Sequence, residues 1–253
     1  MRLQTRDKKI LDYMRQFRCL TTAQTATLFI MNLKVCQRRL RALCKGGYLD
    51  KRPIPSTTGH SPNLFYLGKE GLSLLKVRAL RPRFGLLFSH QMKNSDLLIN
   101  VFNAFRDSFI KVSILPEHLI KKAQLDVIPD GAFSLTKNKK NVLFLLENDS
   151  TETEITKSSL YHMDIETKVM RYIDLFRSND VEFYNNYFKC KFQRFRVLVI
   201  VSTQKRFKAV KSLVKEYDEH GFAWITTLEK FSKNPCGNIW QVQATEKADL
   251  SIV

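Results

Sequence analysis

Three carboxylates, Asp130, Glu147 and Asp149, stand at the ends of two apolar runs, where the chain is able to gather negative charge around a cation. The first run covers residues 125–135 and is interrupted by Pro129-Asp130-Gly131. The second, residues 142–146, is wholly apolar and stops at Glu147 with no glycine or proline between. A lysine- and asparagine-rich stretch, residues 137–141, separates them, so the two runs are expected to be neighbouring strands of a hairpin. Glu147 and Asp149 are two apart and point to the same side of an extended strand. Carboxylates brought together beside a buried strand are costly unless a cation shares the site. An all-oxygen donor set suits Mg²⁺ or Mn²⁺. The same residues allow a plainer reading, in which Pro129-Asp130-Gly131 is a turn and Glu147-Asn-Asp-Ser150 is a loop leading to a helix cap.

The elements around these residues follow from periodicity. Residues 90–109 form an amphipathic helix with Met92, Leu97, Leu98, Val101, Phe102 and Phe105 on one broad face, and His90 and Asp96 also lie on it. His90 at the helix start reads as structural, with a role in the site as the alternative. Residues 111–115 and 119–122 are short strand candidates. After the acidic hairpin, a helix over about 155–176 carries Leu160, Met163, Val169, Tyr172, Ile173 and Phe176, with Lys168 one turn before Tyr172. Residues 178–195 read as an irregular excursion. Residues 195–201 form a buried strand, Ser202 or Thr203 caps a helix over 205–217, and residues 221–226 and 239–242 read as further strands. Strand, helix, strand spacing implies a right-handed crossover and a mixed sheet.

Towards the N-terminus the pattern changes to short helices. Residues 6–18 place Ile10, Leu11, Met14 and Phe17 at helical spacing, and Thr21 or Thr22 caps a second helix to about Phe29. Asn32 caps a third, with Val35, Cys36, Leu40, Leu43 and Cys44 as its apolar stripe and Lys34, Gln37, Arg38, Arg41 and Lys45 as its polar face. Residues 48–52 and 64–67 read as paired strands around a polar loop, followed by a helix from Gly71. Three helices and a hairpin make a winged helix-turn-helix, whose third helix is built to enter the major groove. Arg and Gln there suit base edges, and Lys51 and Arg52 on the hairpin suit the phosphate backbone. Residues 77–88, containing Pro82 and Gly85, read as a basic linker between a domain over 1–80 and one over 86–253.

Charge points the same way. The 253 residues carry 42 Lys and Arg against 24 Asp and Glu, a net charge of +18. A chain this basic is expected to meet a polyanion, with double-stranded DNA the first candidate. No long apolar segment indicates membrane insertion. A polar N-terminus is unlike a signal peptide, and Cys19, Cys36, Cys44, Cys190 and Cys236 form no CxxC pair, which fits a reducing cytoplasm.

Pro129-Asp130 followed by Glu147-x-Asp149 resembles the core motif of the PD-(D/E)xK nuclease fold. The whole succession, from the winged helix through Pro-Asp-Gly, Leu-Glu-x-Asp and Lys-x-x-x-Tyr, resembles the replication-relaxation family, itself similar to the MOBC-type relaxases of mobilizable plasmids. The resemblance implies an α+β or α/β chain with an N-terminal winged helix-turn-helix and a nuclease-like domain, its mixed sheet flanked by helices. It implies a nicking endonuclease acting at an origin of transfer or replication, with other mobilization or replication proteins as further partners. Asp130 and Glu147 then bind the divalent ion, with Asp149 as a third ligand. In the fold the place two after the glutamate belongs to a lysine. Here it is Asp149, so Lys168, or less directly Lys157, takes the lysine's part. The other function implied is an origin-binding replication factor or regulator whose nuclease-like domain is inactive.

Overall fold

The computed structural model describes residues 2–54, 61–78, 88–106, 108–149, 165–242 and 252. The chain divides into two units, Met1–Ser89 and His90–Val253.

In the first unit, α1 (Thr5–Phe17) buries Ile10, Leu11, Met14 and Phe17, the residues its periodicity selects. Thr21 caps α2 (Thr22–Phe29) by accepting the Gln24 N–H at 3.1 Å, and Asn32 caps α3 (Leu33–Lys45) by accepting the Lys34 N–H at 2.9 Å. Strands β1 (Cys19–Thr21), β2 (Leu49–Pro53) and β3 (Asn63–Leu67) form an antiparallel sheet in the order β1-β3-β2, and α4 (Lys69–Leu75) follows. This is winged-helix topology. Strand β1 is too short to show a pattern and exists only through its pairing with β3. Helix α3 buries Cys36, Leu40 and Leu43. Val35, expected in that stripe, is 38% exposed because it falls outside the arc the three define.

One flank of α3 is tied to α1 by charge. Asp7 is fully buried, and Arg39 donates to both of its carboxylate oxygens, through Nε at 2.6 Å to Oδ1 and through the guanidinium terminus to Oδ2. The Gln4 N–H donates to Oδ2 at 2.6 Å. Burial pushes the Asp7 carboxyl up, but Arg39 and the Gln4 N–H outweigh it and hold it below its ordinary value.

The second unit is a six-stranded sheet in the order β4-β5-β6-β7-β8-β9. Its strands are β4 (Lys111–Pro116), β5 (Gly131–Lys137), β6 (Lys140–Asp149), β7 (Phe195–Val201), β8 (Ala223–Thr227) and β9 (Gln241–Val242). Strands β4 to β6 are antiparallel, β6 to β8 parallel, and β9 antiparallel at the edge. The central strands read as continuous apolar runs because both faces are covered. On one face Leu143, Leu145, Val197, Val199 and Ile225 join a core with α7 (Ile165–Ser178), α8 (Glu182–Phe188) and α9 (Gln204–Tyr217). On the other, Phe133 stacks on Phe144 at 4.9 Å, and α5 (Phe88–Ala104) lies against the start of β5. A mixed sheet flanked by helices is the architecture expected for this part of the chain.

Several elements depart from the pattern. Residues 119–122 are helical, in α6 (Glu117–Ile120) and the 3₁₀ turn Lys121–Ala123. Pro116 has no N–H to extend the ladder, and Glu117 then favours a helical first turn. Helix α5 ends at Ala104 rather than near Phe109. Residues 178–195 contain α8, which forms because Tyr184 and Phe188, four apart, both pack on the core. Helix α10 (Leu228–Lys233), capped by Thr227, has too few residues to show a period. Pro82, Gly85, Lys157, Leu160 and Met163 lie outside the described residues.

Candidate active site

Gly131, the first residue of β5, pairs with Leu146 of β6, so continuing that register sets Asp130 beside Glu147. Both carboxylates are buried, at 6% and 2% exposure. Asp130 Oδ2 accepts the Asn148 N–H at 2.8 Å, so the neighbouring strand's backbone fixes it. Its Oδ1 lies 2.8 Å from His90 Nε2.

Helix α5 reaches this corner through one row of side chains. His90, Asn94 and Leu98 are four apart and share a face. Asn94 Oδ1 accepts from Asn148 Nδ2 at 2.7 Å, and Leu98 covers Gly131. A Cβ on Gly131 would lie 3.0 Å from Leu98 Cδ1, so a side chain there would need Leu98 to give way by a few tenths of an ångström.

Glu147 projects towards α7, on the sheet face opposite to that of Asn148. Lys168 and Tyr172, one turn apart, both reach it: Lys168 Nζ donates to Oε2 and the Tyr172 hydroxyl to Oε1. Burial and the Asp130 charge together outweigh Lys168, and the Glu147 carboxyl is pushed up to about 7. Burial also opposes the ionised form of Asp130, but the His90 hydrogen bond, the Lys168 charge and the Asn148 N–H hold it below its ordinary value. The hydrogen bond to Asp130 raises His90. Burial pulls Lys168 down, yet Glu147 and Asp130 carry it above its ordinary value, so it stays charged. The corner thus holds an ionised aspartate, an ammonium and a glutamate that titrates near neutrality.

Asp149 faces the same side as Glu147 two residues on, and its carboxylate is engaged by Arg206 at the start of α9. The structure therefore brings Asp130, Glu147 and Lys168 together, while Asp149 pairs elsewhere. Among the described residues no group of three or more His, Cys, Asp or Glu side chains is placed to hold a metal ion. Two carboxylates still fit a hard divalent cation, since Mg²⁺ is commonly held by one or two carboxylates together with water and substrate phosphate. Glu147 is raised mainly by burial, with the Asp130 charge adding to it, and a bound cation would favour its ionised form.

His90, Asn94, Asn148, Tyr172 and Arg206 complete this corner. The four-residue spacing of His90, Asn94 and Leu98 was the available signal for the first two. Nothing local marks Arg206, which lies 57 residues from its partner. In the first unit Lys34, Gln37, Arg38, Arg41 and Lys45 are all exposed on α3, and Lys51 and Arg52 are exposed on β2. Among the described residues no helix is long and apolar enough to cross a membrane.

No curated protein matches the sequence. Among solved structures the chain is similar to the MunI restriction endonuclease in complex with cognate DNA, at 16% identity and a TM-score of 0.29, over 65% of this chain and 90% of that one. It is also similar to the restriction endonuclease FokI bound to DNA, at 10% identity and a TM-score of 0.30, over 90% of this chain and 43% of that one. The profile of the replication-relaxation family matches residues 11–189, which run from α1 to α8 and include Asp130, Glu147 and Lys168. The chain belongs to the replication-relaxation family and so has a role in DNA processing.

Proposed function

We propose that this protein is a divalent-cation-dependent DNA-nicking endonuclease, a relaxase acting at an origin of transfer or replication on a mobile element. The observation that carries the reading is the corner where buried Asp130 and Glu147 meet beside the Lys168 ammonium. Asp130 and Glu147 would hold Mg²⁺ or Mn²⁺. Such an ion, when bound, neutralises phosphate charge and lowers the pKa of a water molecule. The chain's own residues do the rest. His90 and the Asn148 N–H fix Asp130, Tyr172 fixes one oxygen of Glu147, and Lys168 offers a positive charge to the scissile phosphate. Water attacks phosphorus, one P–O bond of the backbone breaks, and no tyrosine need enter the bond changes.

The winged helix supplies the address. Gln37, Arg38 and Arg41 project from α3 opposite buried Cys36, Leu40 and Leu43, and Lys34, Lys45, Lys51 and Arg52 flank them with charge for phosphates. Arg38→Ala with Arg41→Ala is expected to weaken cognate binding by about 1–3 kcal/mol for each base edge no longer read. Titration of cognate and random duplex at fixed salt checks this, and equal affinities before and after the change would remove α3 as the reading element. With a net charge of +18, binding is also expected to weaken steeply with salt, by a slope of roughly 0.9 for every phosphate neutralised.

A second reading, a non-catalytic origin-binding factor, is favoured by one observation: the place of the motif lysine is taken by Asp149, which is engaged by Arg206. Incubating a supercoiled plasmid that carries the origin with the protein and Mg²⁺ or Mn²⁺ separates the two. Conversion to open circle supports the enzyme, and cation-independent binding without conversion supports the factor.

A further inference from the structure

The end of the sheet away from Asp130 and Glu147 gathers positive charge that the cleavage reading leaves unused. Strand β5 ends at Lys137 and β6 begins at Lys140, and these two are paired directly across the ladder. Asn138 and Lys139 make the turn, both with left-handed backbone (φ 50° and 64°). Lys111 opens β4 opposite Thr136. The segment before β7 is laid alongside, its Lys191 carbonyl accepting from Asn141 Nδ2 at 3.5 Å, and Lys111 lies close enough to Cys190 to act on its thiol. Lys111, Lys137, Lys139, Lys140, Lys189 and Lys191 are all exposed, and among the described residues none is ion-paired to an acid.

This charge opposes local folding preferences. Like charges directly opposite one another across a ladder are destabilising, and a two-residue turn with positive φ at both positions favours Asn-Gly, where this chain has Asn-Lys. Lysines often guard sheet edges, but β5 and β6 are interior strands, so edge protection does not account for them. Two exposed aromatic residues stand close in the chain to lysines of the patch. Phe109, two residues before Lys111, is fully exposed, and Tyr187, two before Lys189, is 38% exposed. A basic surface with exposed rings fits unpaired nucleotides, whose phosphates meet the lysines and whose bases stack on the aromatics.

We propose that the β5–β6 hairpin tip, with Lys111, Lys191 and Phe109, is a binding surface for single-stranded DNA. It lies roughly 23 Å along β6 from Glu147, seven residues at about 3.3 Å each, so it holds a different stretch of nucleic acid from the one at the acidic corner. The surface needs neither a cation nor cleavage.

The test uses the full chain, without divalent ions, and fluorescence anisotropy with an oligothymidylate and with a duplex. Lys139→Gly relieves the turn and Lys137→Thr with Lys140→Thr suits the strands, so the triple variant keeps its fold. It is expected to lower the salt slope of single-strand binding by roughly 0.7 for every phosphate no longer neutralised. Phe109→Ala, which removes no buried side chain, is expected to weaken single-strand binding on the order of tenfold. Duplex binding should be unchanged by both, while Arg38→Ala with Arg41→Ala should show the reverse pattern. The proposal is overturned if the triple variant binds oligothymidylate as the wild type does, if it loses duplex and single strand equally, or if it loses only binding to phosphatidylserine vesicles.

Discussion

Glu147→Gln is expected to change how stability responds to both pH and divalent cation. The Glu147 carboxyl rises from 4.5 to about 7 on folding, mainly through burial. A folded-state value above the unfolded one means that the folded state holds the proton more tightly. The group's contribution therefore becomes less favourable as pH rises between those two values and is constant above them. The whole change corresponds to about 3 kcal/mol. The variant has no carboxyl to ionise, so its stability relative to the wild type should improve as pH rises from about 5 to about 7. Without the glutamate the proposed cation would also lose one of its two carboxylates. If the corner binds Mn²⁺ as proposed, a hundredfold excess over the dissociation constant should stabilise the wild type by about 2.7 kcal/mol, and the variant should gain little. Thermal melts across pH, with and without Mn²⁺, read both effects. Equal gains from Mn²⁺ in the two proteins would take Glu147 out of the cation site.

Asp7→Ala is expected to be the costliest substitution in the first unit. Asp7 is fully buried, and Arg39 directs two of its nitrogens to it. Removing one partner of a buried pair costs about 3–5 kcal/mol, because the other charge is left without compensation. The Arg39 side chain retains 19% exposure, which places the loss towards the lower end. Asp7→Leu with Arg39→Met removes both charges and should recover most of it. Denaturant titration of the single and double variants measures the difference. The folded-state value of Asp7 is depressed, so its contribution is present above the ordinary aspartate range and fades as pH falls through that depressed value. A double variant as unstable as the single one would show that packing, not charge, makes Asp7 matter.

The proximity of Asp130 and Glu147 was legible because an apolar run that stops at an acid fixes where a strand ends, and a hairpin fixes which ends meet. Lys168 and Tyr172 were legible as a pair because helical spacing puts residues four apart on one face. The same spacing was present in His90, Asn94 and Leu98, but it tells nothing of a helix's partner until the glycine at 131 is seen to bring α5 close. Asp149 reads as part of the cluster from sequence because strand periodicity sets its side and not its neighbours. Arg206 approaches only after the chain has passed through α7, α8 and β7. The buried pairing of Asp7 with Arg39 had no signal either, since both are ordinary helix-surface residue types 32 positions apart. Short elements such as β1 and α10 escaped because, at three and six residues, they hold less than two full repeats of their periods.

Asp130 and Glu147 are proposed to form a cation-dependent cleavage centre, with DNA reading assigned to α3. The most direct measurement is the first-order rate at which saturating protein converts supercoiled origin plasmid to open circle in Mn²⁺, compared among wild type, Asp130→Asn and Glu147→Gln at equal DNA occupancy. The expected result is nicking by the wild type, loss of roughly a hundredfold or more in each variant, on the scale of removing one group that stabilises transition-state charge, and unchanged duplex affinity. Nicking by Glu147→Gln at the wild-type rate, or none by a wild type that binds the origin, would contradict it.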